Sequence, residues 1–119
     1  MDVVSSVIGA LVHPAIATVV PVGSRAEGRA TERSDYDFVV ETTDFARAAE
    51  ALPRLVAALE PLAQQWDRLA DTMCWMVILP GPVKVDLIFP NLPHEHKPPW
   101  EPAPGTLDGI DAHFWDWML

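Results

Sequence analysis

The stretch from Val22 to Val40 constrains this chain more than any other: Val-Gly-Ser-Arg-Ala-Glu-Gly-Arg-Ala-Thr-Glu-Arg-Ser-Asp-Tyr-Asp-Phe-Val-Val. Gly23-Ser24 follows an apolar run and opens a turn of small residues. Further on, Asp35 and Asp37 flank Tyr36 where a second apolar run begins. Residues two apart on a strand point to the same face. The two carboxylates therefore stand side by side, next to a loop whose backbone N–H groups can hold phosphate. This pattern predicts a phosphoryl-transfer site that needs metal, built where two apolar strands meet.

The third acid of the site comes much later. Asp86 lies in the middle of Val-Lys-Val-Asp-Leu-Ile-Phe, a run that alternates as a strand. A buried strand rarely keeps an unpaired carboxylate, so Asp86 needs a partner, and the Asp35/Asp37 site offers one through shared metal. Carboxylates about 4 Å apart repel by roughly 1–4 kcal/mol at surface-like dielectrics. Without cations one of them tends to take up a proton. Oxygen-rich sites with open positions suit Mg²⁺, which keeps waters and binds substrate phosphates. Two such ions can activate an attacking hydroxyl and stabilise a leaving pyrophosphate. Mn²⁺ is an alternative ion. In this reading Asp35, Asp37 and Asp86 are both the metal ligands and the catalytic residues. Gly23, Ser24, Arg25 and Ser34 are the nucleotide and phosphate contacts.

The rest of the chain is read as support for that site. Asp2 caps a first helix running to about Val12, with Val3, Val4, Val7, Ile8 and Leu11 at helical spacing. His13-Pro14 ends it, with His13 as a helix-end cap or an exposed residue. Ile16 to Val22 reads as a buried β-branched strand, with Pro21 suited to an edge or to the end of a ladder. Arg25 to Arg29 reads as a short helical turn broken at Gly28. Thr43-Asp44 starts a helix from Phe45 to about Leu59, in which Pro53 predicts a kink or a split. Pro61 predicts a further break or restart near Leu62. Met73–Leu79 and Val83–Phe89 read as strands joined by a Pro80-Gly81-Pro82 turn. On the second of these, Val83, Val85, Leu87 and Phe89 share one face and Lys84, Asp86 and Ile88 the other.

Composition bounds the partners. The chain has 119 residues and is half hydrophobic, enough for one compact domain with a real core. Its net charge of −9 repels phosphate backbones and favours a cationic small substrate or a basic partner protein. No nucleic acid is expected as a partner. No leader-like segment and no apolar run near membrane-spanning length is visible, so a cytoplasmic protein is expected. The single cysteine, Cys74, reads as buried packing. Lys84 reads as a solvated or salt-bridging residue. His94-Glu95-His96 lacks the four-residue spacing of a zinc helix, and Trp66, Trp75 and Trp100 read as core or loop-anchoring aromatics.

Gly23-Ser24, then Ser34-Asp35-Tyr36-Asp37, then Asp86 on a later strand resembles the nucleotidyltransferase superfamily of DNA polymerase beta type. The likeness is to the bacterial branch of aminoglycoside nucleotidyltransferases, related proteins and minimal nucleotidyltransferase antitoxins, over about Ile16 to Phe89. The resemblance implies an α+β fold, with a twisted mixed sheet flanked by helices. It also implies a nucleoside triphosphate donor such as ATP, Mg²⁺, and transfer of a nucleoside monophosphate to a hydroxyl of a small molecule or protein. The alternatives it leaves are an antitoxin-like domain acting on a partner toxin and a non-catalytic nucleotide-binding domain. Glu27 departs from the minimal branch by adding negative charge where Arg25 and Arg29 would meet phosphate. Residues 1–89 are expected to form the catalytic domain and 90–106 a proline-rich loop or linker. Residues 107–119 are expected to form a terminal helix carrying Phe114, Trp115, Trp117 and Met118. That helix would begin a C-terminal helical domain missing here, or serve as a homo-oligomer interface.

Overall fold

The computed structural model describes residues 2–28, 35–69 and 72–90, without the side chains of 25, 26, 67–69 and 72. The expectations for Ser34, Arg29, His94-Glu95-His96, Trp100 and residues 91–119 lie outside this description. The described chain is an α+β fold: a five-stranded mixed sheet with two helices and one short helical turn.

Helix α1 spans Val3–Ala10. Asp2 caps it, its Oδ1 accepting from Val4 N at 3.1 Å and its Oδ2 from Ser5 Oγ at 2.7 Å. His13 is not a bystander after the helix: its Nδ1 accepts from Ala15 N at 3.0 Å and so fixes the turn into the sheet. Strand β1, Ile16–Val22, is an edge strand and only half-buried, not the buried strand its composition predicts. β-branched residues serve an edge as well as a centre, and Pro21, which has no N–H to donate, belongs there. An irregularity between Ile16 and Thr18 lets both Ile16 and Val19 reach the core, although they are three apart.

The turn α2, Gly23–Ala26, follows directly and begins two residues earlier than the sequence indicates. Strand β2 spans Tyr36–Thr42 and pairs antiparallel with β1. Asp44 then caps α3, Phe45–Ala57, its Oδ1 accepting from Arg47 N at 3.2 Å. The helix runs through Pro53 without dividing. A proline removes one backbone hydrogen bond there, but Ala48, Ala49 and Leu52 before it and Val56 after it are all buried against the sheet. Packing on both sides holds the two halves as one helix. No helix restarts at Leu62. Glu60 takes a left-handed φ of 54° and the chain enters a strand, β3, Ala63–Leu69. Strands β4, Thr72–Leu79, and β5, Val83–Phe89, complete the sheet.

The strand order is β1-β2-β5-β4-β3. Only β2 and β5 run parallel; the other pairs are antiparallel. Both long helices pack on one face. There Val7, Leu11, Leu52 and Val56 meet Phe38, Val40, Trp75, Val77, Val85, Leu87 and Phe89, all essentially buried. Phe45, Trp66, Trp75 and Phe89 form an aromatic group with ring centroids 5.0–5.9 Å apart. The residues that alternate with these point to the other face. They include a smaller buried group of Ala63, Cys74, Met76 and Ile78, with Ile88 packed against it. Asp37, Lys84 and Asp86 share that second face by the same alternation. No described helix is long and apolar enough to cross a membrane.

Candidate active site

The site lies where the parallel pair β2–β5 begins. The register sets Tyr36 against Val85 and Asp37 against Asp86, so the two aspartates are neighbours across adjacent strands on one face. Asp35 stands one residue before β2, on the side of Asp37. Asp35, Asp37 and Asp86 each offer a carboxylate oxygen, and the three oxygens lie within 4.8 Å of one another. Exposure falls along the group: the Asp35 side chain is 36 % exposed, Asp37 is half-buried and the Asp86 side chain is 6 % exposed.

The Gly23 backbone closes the site from the β1 side. Val22 pairs with Asp37, and Gly23 then turns at φ 81°, a conformation that favours glycine. A Cβ built at Gly23 would lie 2.6 Å from Asp37 Oδ2. The absence of a side chain is what lets the Gly23-Ser24 turn press against the carboxylate. Glu27 N donates to Gly23 O at 3.1 Å, which closes the turn. Ser24 is half-buried beside it, and Glu27 is exposed.

One further group belongs to the site. Lys84 precedes Asp86 by two residues on β5 and is only 7 % exposed. Its Nζ lies 3.5 Å from Asp35 Oδ2 and 3.7 Å from Asp86 Oδ2. The sequence offered two readings of Lys84, solvated or salt-bridging, and the second holds. What the sequence reading lacks is that this ion pair sits inside the carboxylate group. The alternation puts Lys84 and Asp86 on one face but does not distinguish a solvated lysine from a buried one.

The electrostatics are those of a site short of positive charge. Burial pushes the Asp86 carboxyl up to about 7; Lys84 opposes this, and the charges of Asp35 and Asp37 add to it. Asp37 is also raised, chiefly by burial and further by Asp35, with its contact to Asp86 and the charge of Lys84 opposing. Asp86 Oδ1 is buried with no hydrogen-bond donor on it. A buried carboxylate oxygen without a donor is costly, and a proton or a cation would remove that cost. Three carboxylates, one of them with an orphaned oxygen, fit Mg²⁺ or Mn²⁺, and no soft ligand is among them.

A mixed sheet with helices on one face, and three aspartates converging beside a Gly-Ser turn, define a nucleotidyl-transfer class of domain. The family model for the nucleotidyltransferase domain matches residues 4–98, and the chain belongs to that family. It is a nucleotidyltransferase domain with a candidate catalytic aspartate triad. Two solved structures share its fold. A cytoplasmic RNA terminal U-transferase superposes with a TM-score of 0.58 at 20 % identity, over 75 % of this chain and 27 % of that one. The Cid1 poly(U) polymerase gives 0.54 at 18 % identity, over 75 % and 28 %. The chain thus spans little more than a quarter of the length of either. No curated protein matches its sequence.

Proposed function

We propose that this protein is a Mg²⁺-dependent nucleotidyltransferase that moves a nucleoside monophosphate from a triphosphate to an acceptor hydroxyl and releases pyrophosphate. The observation that carries this reading is the convergence of Asp35, Asp37 and Asp86 within 4.8 Å, with a glycine backbone against Asp37. Asp35 and Asp37, the more exposed pair, would hold both metals. Asp86, the buried member, would hold the catalytic one and orient or deprotonate the acceptor hydroxyl. Metal held by these aspartates would supply the positive charge that favours a deprotonated attacking group and a leaving pyrophosphate. The Gly23-Ser24 backbone and the Ser24 hydroxyl grip the β- and γ-phosphates, with Arg25 and Ser34 as further contacts. ATP is the first donor to try, and Mn²⁺ the first substitute ion.

The acceptor is proposed to be a small molecule or a protein, as in the aminoglycoside-modifying and antitoxin-like branches. Both solved relatives bear names of enzymes that act in RNA uridylylation. Their likeness at this identity is one of fold, and fold alone does not carry an acceptor. A net charge of −9 disfavours a polyanionic acceptor and favours a cationic one. A cytoplasmic setting suits this substrate class.

The test supplies ATP, GTP, CTP or UTP with Mg²⁺ to a panel of aminoglycosides, basic proteins and an RNA oligonucleotide. Pyrophosphate release with a cationic acceptor, lost in Asp35→Asn, is expected. Release only with RNA would overturn the acceptor assignment. Tight triphosphate binding without release to any acceptor would favour a non-catalytic domain.

A further inference from the structure

Lys84 has a consequence that ordinary surface ion pairs lack. Its ammonium is buried and stands 3.5 and 3.7 Å from oxygens of two of the three aspartates. The β2–β5 ladder begins at Tyr36 against Val85 and Asp37 against Asp86, and Lys84 and Asp35 stand one residue before it on each strand, their side chains in contact. The lysine is therefore carried by the same strand that carries Asp86. A buried lysine and a buried aspartate each cost much when unpaired, and here each lowers the cost of the other.

We propose that Lys84 is a resident cation that holds the metal-free aspartate triad together and limits how much divalent metal the site takes before nucleotide arrives. Once all three carboxylates are ionised, they and one ammonium leave two negative charges, which a single divalent ion neutralises. A second divalent ion entering alone meets a site with no net negative charge to attract it. It has to bring its own counter-charge, as a triphosphate does. Lys84 is a positioning residue in this account, because it acts on the carboxylates and not on the substrate. The inference rests on Asp35, Asp37 and Asp86 being the metal ligands of the proposed reaction.

The probe is Mn²⁺ alone, titrated into the nucleotide-free protein by electron paramagnetic resonance, with melting curves in chelator and in saturating Mn²⁺. Wild type should take up one ion. Lys84→Met and Lys84→Gln should bind the first ion at least about tenfold more tightly, since a unit charge within a few ångströms of a divalent ion opposes it strongly. In chelator both variants should melt below wild type, with most of the loss recovered in Mn²⁺. Lys84→Arg, which keeps the charge, should hold wild-type affinity. A Lys84→Met chain that folds only with Mn²⁺ gives the same answer. Unchanged or weaker Mn²⁺ binding in Lys84→Gln, or equal loss of melting temperature with and without metal, would overturn the inference. Pyrophosphate release separates the two readings. Turnover without a metal-affinity change in the variants refutes the role of Lys84 only. Tightened metal binding without turnover refutes the proposed reaction only.

Discussion

Gly23 and Asp37 show how closely this site depends on single residues. The turn into α2 needs a positive φ and open space against Asp37 Oδ2, and Gly23 provides both. Gly23→Ala should weaken Mn²⁺ binding by at least tenfold and cost about 1–3 kcal/mol of stability, the usual range for a strained backbone position. Mn²⁺ titration and urea unfolding measure the two effects, and wild-type metal affinity in Gly23→Ala would remove Gly23 from the site. Asp86 makes a second prediction. Its carboxyl is raised to about 7 in the folded chain, above its unfolded value near 3.9. The folded state then binds more protons than the unfolded one between those values, so stability is lost as pH rises through this window. Asp37, raised as well, adds with the same sign. Melting temperatures of the metal-free protein should fall from pH 4 to pH 7 by more than those of Asp86→Asn. Divalent metal has to displace the proton, so its binding should strengthen over the same interval. A flat difference between wild type and Asp86→Asn would contradict this origin.

At the scale of elements, what the sequence announced were the strongly patterned segments. Asp2 and Asp44 mark both helix starts because a side-chain acceptor has to meet free N–H groups there. Alternation along Val83–Phe89 separates core from site face, and the structure keeps that separation. Strand β3 was not legible. Ala63-Gln64-Gln65-Trp66-Asp67-Arg68-Leu69 has little β preference, and what holds it is its neighbour β4. Gln64 Oε1 accepts from the Trp75 indole at 3.1 Å, a partnership that only the fold creates. At Pro53 the helix does not split, since a local breaking signal lost to the burial of Leu52 and Val56. Pro53→Ala should therefore stabilise the chain by about 1–2 kcal/mol by restoring one helix hydrogen bond. Leu52→Ala should destabilise it by about 2–5 kcal/mol. Urea unfolding of the two variants tests both signs, and a destabilised Pro53→Ala would mean that the proline ring packs better than the missing bond costs.

The whole molecule places its chemistry on the face of the sheet opposite its helices. α1, α3 and the aromatic group hold one side, and the parallel step from β2 to β5 brings acids from distant sequence together on the other. The pairing of Asp37 with Asp86 could be anticipated because a mid-strand carboxylate needs a partner. The part played by Lys84 could not, because a lysine in an alternating run is ordinarily solvated and only the sheet shows it buried between two acids. The central claim is that this acidic group is a divalent-metal site serving a triphosphate. Equilibrium binding of Mn²⁺ in the presence of a non-hydrolysable nucleoside triphosphate, compared between wild type and Asp37→Asn, tests it most directly. Two ions bound per wild-type chain, and loss of at least one with tenfold or greater weakening in Asp37→Asn, is the result predicted here. Equal stoichiometry and affinity in the two proteins would contradict it.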